Sequence, residues 1–181
     1  MLTRGLSRTI AAAAFATTIV AVPAIAQQQS GAAKLNDPTI VAIFDAANTW
    51  DIQTGRLAMK KGSTKEVRDF GAMLAHDHTA VRQKGRDLAK KLGVTPTPPK
   101  DFAMAKDHAA AMKKLESLSG AAFDRAFLQH EIDYHQAVID AVTNTLLPAL
   151  QNQDVKTLVT QVAPAFAAHR DAAKNLLGKI S

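Results

Sequence analysis

Four polar side chains of the kinds that bind metals or protons interrupt otherwise apolar helical patterns. Each continues a series of apolar residues spaced three and four apart, which is typical of a helix with one buried face. They are Asp51, His78, His135 and His169. Because a lone buried charge is costly, an acid and three imidazoles in one core must satisfy one another. The residues therefore predict either a hydrogen-bonded polar layer or a metal site, and the sequence leaves both open.

Three further residues stand close enough in sequence to support such a layer. Glu131 precedes His135 by one helical turn on the same face. It could be a second carboxylate of the site or a hydrogen-bond partner of a ligand, or it could be an acid that faces solvent. Asp77 could brace a neighbouring imidazole, and Tyr134 could donate a hydrogen bond. If a metal binds, Asp51 and the three histidines are the predicted ligands, a set that suits one ion of zinc, copper or iron.

Capping residues divide the chain into five predicted helices. Asp37 before a proline, Ser63 with Glu66 in a capping box, and Asp154 are the predicted helix starts. Glycines mark the ends of the first two helices. The predicted helices cover about 38–61, 63–92, 101–118, 119–147 and 154–180.

Prolines set the remaining boundaries. The segment 94–100 contains three prolines and predicts a stiff connector. Pro148 ends the fourth helix, and Pro164 predicts a kink in the fifth, since an interior proline removes one helical hydrogen bond.

The four candidate residues lie near the midpoints of four long helices. When neighbouring helices are antiparallel and joined by short loops, their midpoints lie at about the same height. The four side chains should therefore meet in one interior layer. The predicted fold is all-α, an antiparallel four-helix bundle with one additional shorter helix.

The first 26 residues resemble a secretory signal peptide. Arg4 and Arg8 precede an uncharged stretch at 9–22, and small residues at 24 and 26 form a cleavage site. We expect cleavage near Ala26 and a periplasmic or otherwise exported protein. The predicted organisation is a signal peptide at 1–26, a flexible segment at 27–36 and the bundle domain at 37–181.

Composition narrows the classes of function. The chain has no cysteine, which excludes disulfides and thiol chemistry. Removing Arg4 and Arg8 takes the formal net charge from +6 to about +4. We expect no nucleic-acid binding, because no aromatic residues accompany the basic ones, and at most weak contact with an anionic envelope surface. No transmembrane span is expected in the mature chain, and no nucleotide or organic cofactor, since phosphate-cradling glycine loops are lacking.

The residues resemble a family of exported bacterial proteins known as domain of unknown function 4142. The resemblance covers about 38–177 and rests on short runs of sequence. They are Asp51-Ile52 with Gly55-Arg56-Leu57-Ala58, then Met73-Leu74-Ala75-His76-Asp77-His78, Ser119-Gly120 with Phe123-Asp124, and His135 and His169. The resemblance implies a ferritin-like fold outside the cytoplasm and no established activity. Ferritin-like di-iron centres use two Glu-x-x-His pairs, which this chain lacks, so a mononuclear or metal-free layer is preferred.

Three functions fit this pattern. The first is an exported binding module, associated with envelope stress, that holds one metal ion in the Asp/His layer. The second is a metal-dependent redox enzyme that acts on peroxide or a similar small oxidant. The third is a structural or interaction module whose metal-free polar layer only specifies the packing register. Whether the protein is an enzyme is left open by the sequence.

Overall fold

Every regular element in the described part of the chain is a helix. The structure, a computed structural model, describes residues 35–99 and 102–180. The predicted signal peptide and most of the flexible segment lie outside these residues. The elements are α1 (Asp37–Lys61), α2 (Lys65–Leu92), α3 (Ala103–Ser117), α4 (Gly120–Ala141), a π-helical segment (Val142–Leu146), α5 (Leu147–Ala149) and α6 (Gln153–Ile180). The all-α prediction is confirmed for this part of the chain.

Two helix starts are capped by an asparagine, where an aspartate was predicted. The Asn36 side chain accepts from an amide in the first turn of α1, and the Asn152 side chain accepts from amides of α6, one of them that of Asp154. The predicted caps Asp37 and Asp154 are therefore wrong by one or two positions. Asp37 instead accepts from the backbone amides of Gln151 and Asn152, and so ties the start of α1 to the loop before α6.

The start of α2 differs from its predicted capping box in the same way. The Thr64 hydroxyl, rather than that of Ser63, accepts from the Val67 amide. Ser63 instead donates to the carboxylate of Asp124 on α4 through both its amide and its hydroxyl. A local pattern predicted this helix start to within one residue, and a distant partner decided which hydroxyl caps it.

The four long helices pack as two pairs that contact each other. Helices α1 and α2 form a hairpin, α4 packs along α6, and further contacts join α2 to α6 and α1 to α4. The backbones of α1 and α2 approach each other closely at Gly55 and Gly71. A Cβ atom on either glycine would lie 2.6 Å from the carbonyl oxygen of the other. Only glycine permits this approach, which fixes the height of α1 against α2.

Two apolar clusters lie on either side of the four candidate residues along the helices. One contains Phe44, Val138 and Phe166, and the other contains Leu74 and Phe127. On each of the four long helices the candidate polar residue falls between a residue of one cluster and a residue of the other. The polar layer is thus enclosed by core on both sides.

Prolines act differently in the two C-terminal helices. The fourth helix was predicted to run to Leu147, but α4 becomes a π-helix at Val142, where the Leu147 amide donates to the Val142 carbonyl. Pro148 follows this segment; it has no amide hydrogen, and its ring would crowd the carbonyl four residues earlier in a regular α-helix. Helix α6, in contrast, is continuous across Pro164, and the kink there stays a prediction. Among the described helices, none is both long and apolar enough to cross a bilayer.

Candidate metal centre

The structure brings all four candidate side chains into one buried layer. Asp51 is 3% exposed, His78 2%, His135 0% and His169 5%. They come from α1, α2, α4 and α6 respectively. None of them points to solvent, so each polar atom needs a partner inside the protein or an ion.

The orientation of His78 is set by an asparagine that the sequence analysis did not single out. The Asn48 Nδ2 atom donates to the Phe44 carbonyl over 2.8 Å, so the Asn48 Oδ1 atom can only accept. This oxygen lies 2.9 Å from His78 Nδ1, which must therefore carry the hydrogen. The lone pair of neutral His78 is then on Nε2, which points into the layer.

The other two imidazoles are held in a similar way by one nitrogen each. His135 Nδ1 donates to the Glu131 backbone carbonyl over 2.9 Å. His169 Nε2 donates to the carboxylate of Asp77 over 3.1 Å. The nitrogens left to face the layer are therefore His135 Nε2 and His169 Nδ1. Such anchoring of the non-ligating nitrogen is usual for histidines that bind metals.

These three nitrogens converge. One nitrogen from each of His78, His135 and His169 lies within 4.8 Å of the other two. The His78 Nε2 and His169 Nδ1 atoms are only 3.2 Å apart. Two lone pairs at this distance repel one another unless a proton or a cation lies between them, so the geometry calls for positive charge at this point.

Asp51 lies beside the converging histidine nitrogens and offers a fourth ligand. Its Oδ2 atom lies 3.6 Å from His78 Nε2, and its Oδ1 atom lies 3.9 Å from His135 Nε2. Four ligands placed 2.0 to 2.2 Å from a tetrahedral ion are about 3.4 Å from one another. Asp51 Oδ1 and His135 Nε2 have no hydrogen-bond partner among the described residues. A cation at the centre would satisfy both.

Glu131 lies inside the layer. Its side chain is fully buried, and neither carboxylate oxygen has a hydrogen-bond partner in the described part of the chain. One of these oxygens is 3.5 Å from His135 Nδ1. Glu131, Asp51 and His135 each offer a ligand atom within 4.8 Å of the other two, so the layer contains a second overlapping group of metal-binding side chains.

Burial dominates the electrostatics of the two carboxyl groups. It raises the pKa of Asp51 well above its usual value, and the charge of Glu131 adds to this effect. It also raises the pKa of Glu131 to about 7, although the Thr54 hydroxyl and the Asp51 carboxyl act in the opposite direction. Without a cation, the pair must therefore hold at least one proton at neutral pH.

Burial acts on His78 and His135 in the opposite sense. It lowers the pKa of His78 to about 2, and the neighbouring His135 and His169 contribute. It lowers the pKa of His135 to about 4, although the hydrogen bond to the Glu131 carbonyl opposes the shift. Both rings are neutral at physiological pH, which is the form that binds metal ions.

Tyr134 forms part of the wall of the layer. Its hydroxyl donates to the Ala47 carbonyl over 3.1 Å, and its ring meets the edge of the His135 ring at 6.0 Å between centroids. Burial raises the pKa of Tyr134 well above its usual value. Because its single hydroxyl proton is already donated, Tyr134 has none left to donate to the layer.

Sequence reasoning missed Asn48, although a signal was present. Asn48 lies four residues after Phe44 and three before Asp51, on the buried face of α1, where a polar side chain needs a partner. A fourth buried histidine, His108, lies outside the layer. It stacks on Trp50 with 5.4 Å between ring centroids and bonds to Gln53.

These features define an all-helical protein with a buried centre of three histidines and two carboxylates. The chain belongs to the family described as Domain of unknown function (DUF4142), whose model matches residues 22–176. The family resemblance noted in the sequence is thereby confirmed. No curated protein and no solved structure matches the chain. The description of the family names no activity, so the function has to be argued from the site.

Proposed function

We propose that this protein binds one divalent transition-metal ion through His78, His135, His169 and Asp51. The observation that carries the proposal is the convergence of three imidazole nitrogens, one from each histidine, within 4.8 Å of one another, with two of them 3.2 Å apart. Each ring is fixed by a hydrogen bond from its other nitrogen, so the ligands are held ready for an ion before it arrives.

Charge balance favours a divalent ion. Three neutral imidazoles and the ionised carboxylates of Asp51 and Glu131 carry a total charge of −2 in a layer closed to solvent. A divalent cation cancels this charge, and both carboxylates can then stay ionised despite their burial. Nitrogen and oxygen ligands without sulfur suit zinc, iron or copper. Glu131 is placed to act as a fifth ligand or to accept a hydrogen bond from a ligand of the ion.

The first experiment is elemental analysis of the protein purified from its own cell envelope. We expect close to one equivalent of a transition metal. Chelator-treated protein is then titrated with cobalt(II), whose visible absorption reports the coordination number. His169→Ala should abolish binding, and His76→Ala, which changes an exposed histidine two residues before His78, should leave it intact.

A second variant distinguishes loss of metal binding from loss of the fold. Asp77 is 41% exposed and contacts the layer only through His169 Nε2. Asp77→Asn should weaken cobalt binding about tenfold, because partners of this kind contribute ten- to a hundredfold to metal affinity. Its circular dichroism should match that of the wild type. A folded protein that takes up no metal, or that binds equally well without His169, would refute the proposal.

A metal-free layer is the second candidate. The raised pKa values of Asp51 and Glu131 allow the pair to share a proton, which would remove the repulsion between them. In this case the layer specifies how the helices pack and has no ligand. Absence of metal from the native protein, together with failure to bind cobalt(II), would favour this candidate.

We also propose that the helices form a ferritin-like antiparallel four-helix bundle. The pairing of α1 with α2 and α4 with α6, together with the contacts of α2 with α6 and α1 with α4, supports this arrangement. The Glu131 to His135 spacing of four residues differs from the Glu-x-x-His spacing of di-iron bundles, which favours one ion over two. An experimental structure of the metal-loaded protein tests both points.

Export and a role in envelope stress complete the proposal. The basic residues, uncharged stretch and small residues that precede position 27 support export. N-terminal sequencing of protein from the periplasmic fraction should begin near Gln27. A deletion strain should grow more slowly than its parent under peroxide or excess metal, and equal growth would count against the stress role.

A further inference from the structure

A small apolar cavity adjoins the candidate metal centre. Its volume is about 30 Å³, and Asp51 and His78 form part of its wall. Most of the remaining wall is apolar, with Phe44 and Phe166 from α1 and α6 and further aliphatic side chains from the C-terminal part of α4. The cavity therefore opens on the side of the layer where Asp51 and His78 would hold the ion.

The irregular end of α4 contributes to the wall. Val142 and Leu146, the first and last residues of the π-helical segment, both line the cavity, as does Ala141 immediately before it. A π-helical turn changes the register of the residues that follow, and such segments often occur at functional sites. Pro148 follows the π segment by two residues and is one constraint on the helix at this wall, because it cannot donate a backbone hydrogen bond.

The size and polarity of the cavity restrict what it can hold. It exceeds the 10 to 15 Å³ that one water needs, so it has room for one or two small molecules. A buried water also needs two to four polar partners. The wall offers few polar groups, because His78 Nδ1 is already bonded and Asn48 has used one amide hydrogen and one Oδ1 lone pair, which leaves Asn48 and Asp51 as the remaining partners. Peroxide, with two hydroxyl donors, meets the same difficulty.

We infer that this cavity receives an uncharged diatomic molecule, dioxygen or nitric oxide, beside the metal ion. An apolar diatomic loses little on leaving water and needs no hydrogen-bond partner in the cavity. Both molecules also bind directly to reduced transition metals. The ion beside the cavity rests on the proposed metal site, but the binding of an apolar molecule in the cavity can be tested without metal.

Met104 is placed to control entry. It lines the inner cavity and also a surface groove of about 260 Å³ that contains His108 and Tyr134. Its side chain, from α3, is only partly buried. Methionine has three flexible torsions, so a rotation of this side chain could connect the groove with the cavity. We assign Met104 as the gate between solvent and the cavity.

The first test uses xenon as the probe, on the full mature chain after metal removal. Crystals pressurised with xenon should show one atom in this cavity. Ala141→Leu places a larger side chain on the cavity wall and should abolish the xenon site. Ala126→Leu is the matched control, since it makes the same change at a partly buried position on α4 outside the cavity. Xenon absent from the wild type, or retained in Ala141→Leu, would overturn the inference.

The second test uses iron(II)-loaded protein. Nitric oxide should give the electron paramagnetic resonance signal of an iron-nitrosyl. Dioxygen should take one electron from iron(II), which leaves iron(III) and superoxide, so the two gases give different signals. Met104→Ala should speed nitric oxide binding at least tenfold, and Ala141→Leu should slow it at least tenfold. Equal rates in wild type and Ala141→Leu would refute the cavity as the route. A protein that binds xenon but no iron would refute the metal proposal and leave the cavity result standing.

Discussion

Replacing Glu131 by glutamine tests the electrostatics of the layer directly. Burial raises the pKa of this carboxyl from 4.5 to about 7. Between these values the folded protein holds a proton that the unfolded chain releases, so the free energy of unfolding falls as the pH rises. At 1.36 kcal/mol per pKa unit, the wild type loses about 3 kcal/mol of stability between pH 4.5 and pH 7.5 through this one group. Glutamine resembles the protonated acid in shape and does not titrate.

We therefore expect Glu131→Gln to be about 3 kcal/mol more stable than the wild type at pH 7.5 and about equal to it at pH 4.5. The lowered pKa values of His78 and His135 act in the opposite sense, because the unfolded chain takes up protons below pH 6.5 that the folded layer refuses. These rings are present in both proteins, so their contributions cancel in the comparison. The Asp51 contribution changes in the same direction as that of Glu131, because the variant lacks the charge that helps to raise the pKa of Asp51.

The measurement is chemical denaturation followed by circular dichroism, on chelator-treated protein at both pH values. Glu116→Gln is the control, because it makes the same substitution at an exposed position of α3 and should give no pH-dependent difference. If the free energies of unfolding of Glu131→Gln and wild type differ by the same amount at both pH values, the pKa of Glu131 is not raised. A variant less stable than the wild type at pH 7.5 would show that the carboxylate is ionised and held by a favourable partner.

Three further predictions follow from the packing and from the proposed ion. Gly71→Ala should destabilise the fold by about 3 kcal/mol in thermal denaturation, because its Cβ would lie 2.6 Å from the Gly55 carbonyl oxygen. Gly178→Ala is the control: it has open space around it and should be neutral or stabilising by up to about 1 kcal/mol. Asp124→Ala should cost about 3 kcal/mol in the same assay, since it removes the acceptor of three hydrogen bonds from the α1–α2 loop, whereas the exposed Asp133→Ala should change stability by less than about 0.5 kcal/mol. Chelation should lower the free energy of unfolding by about 2.7 kcal/mol relative to protein kept at a metal concentration of one hundred times Kd. If protein that carried stoichiometric metal keeps the same Tm after chelation, the metal does not bind at the layer.

The long helices were readable from the sequence because their signals are local. Prolines, glycines and the three-to-four spacing of apolar residues placed the ends of α1, α2 and α6 within about two residues. The start of α2 shows the limit of such signals. Ser63 and Thr64 are equally good caps in isolation, and the choice between them depends on Asp124, which is 60 or more residues away in the sequence.

The π-helical segment shows a similar limit. Pro148 signals that a regular helix cannot continue, but the sequence does not say whether the chain will stop or change its hydrogen-bond pattern. In the fold, Val142 and Leu146 are both buried in the core, and this burial favours continuing the helix as a wider turn.

By itself the sequence determined the four long helices and placed Asp51, His78, His135 and His169 on their inner faces, because a period of 3.6 residues is a property of each helix alone. Only the tertiary structure decided which nitrogen of each imidazole faces the centre. For His78 and His169 that choice is made by Asn48 and Asp77, which lie on other helices, 30 and 92 residues away in the sequence. The direction in which a ring nitrogen points is fixed only when a hydrogen bond holds the ring, and these hydrogen bonds form only when the helices pack.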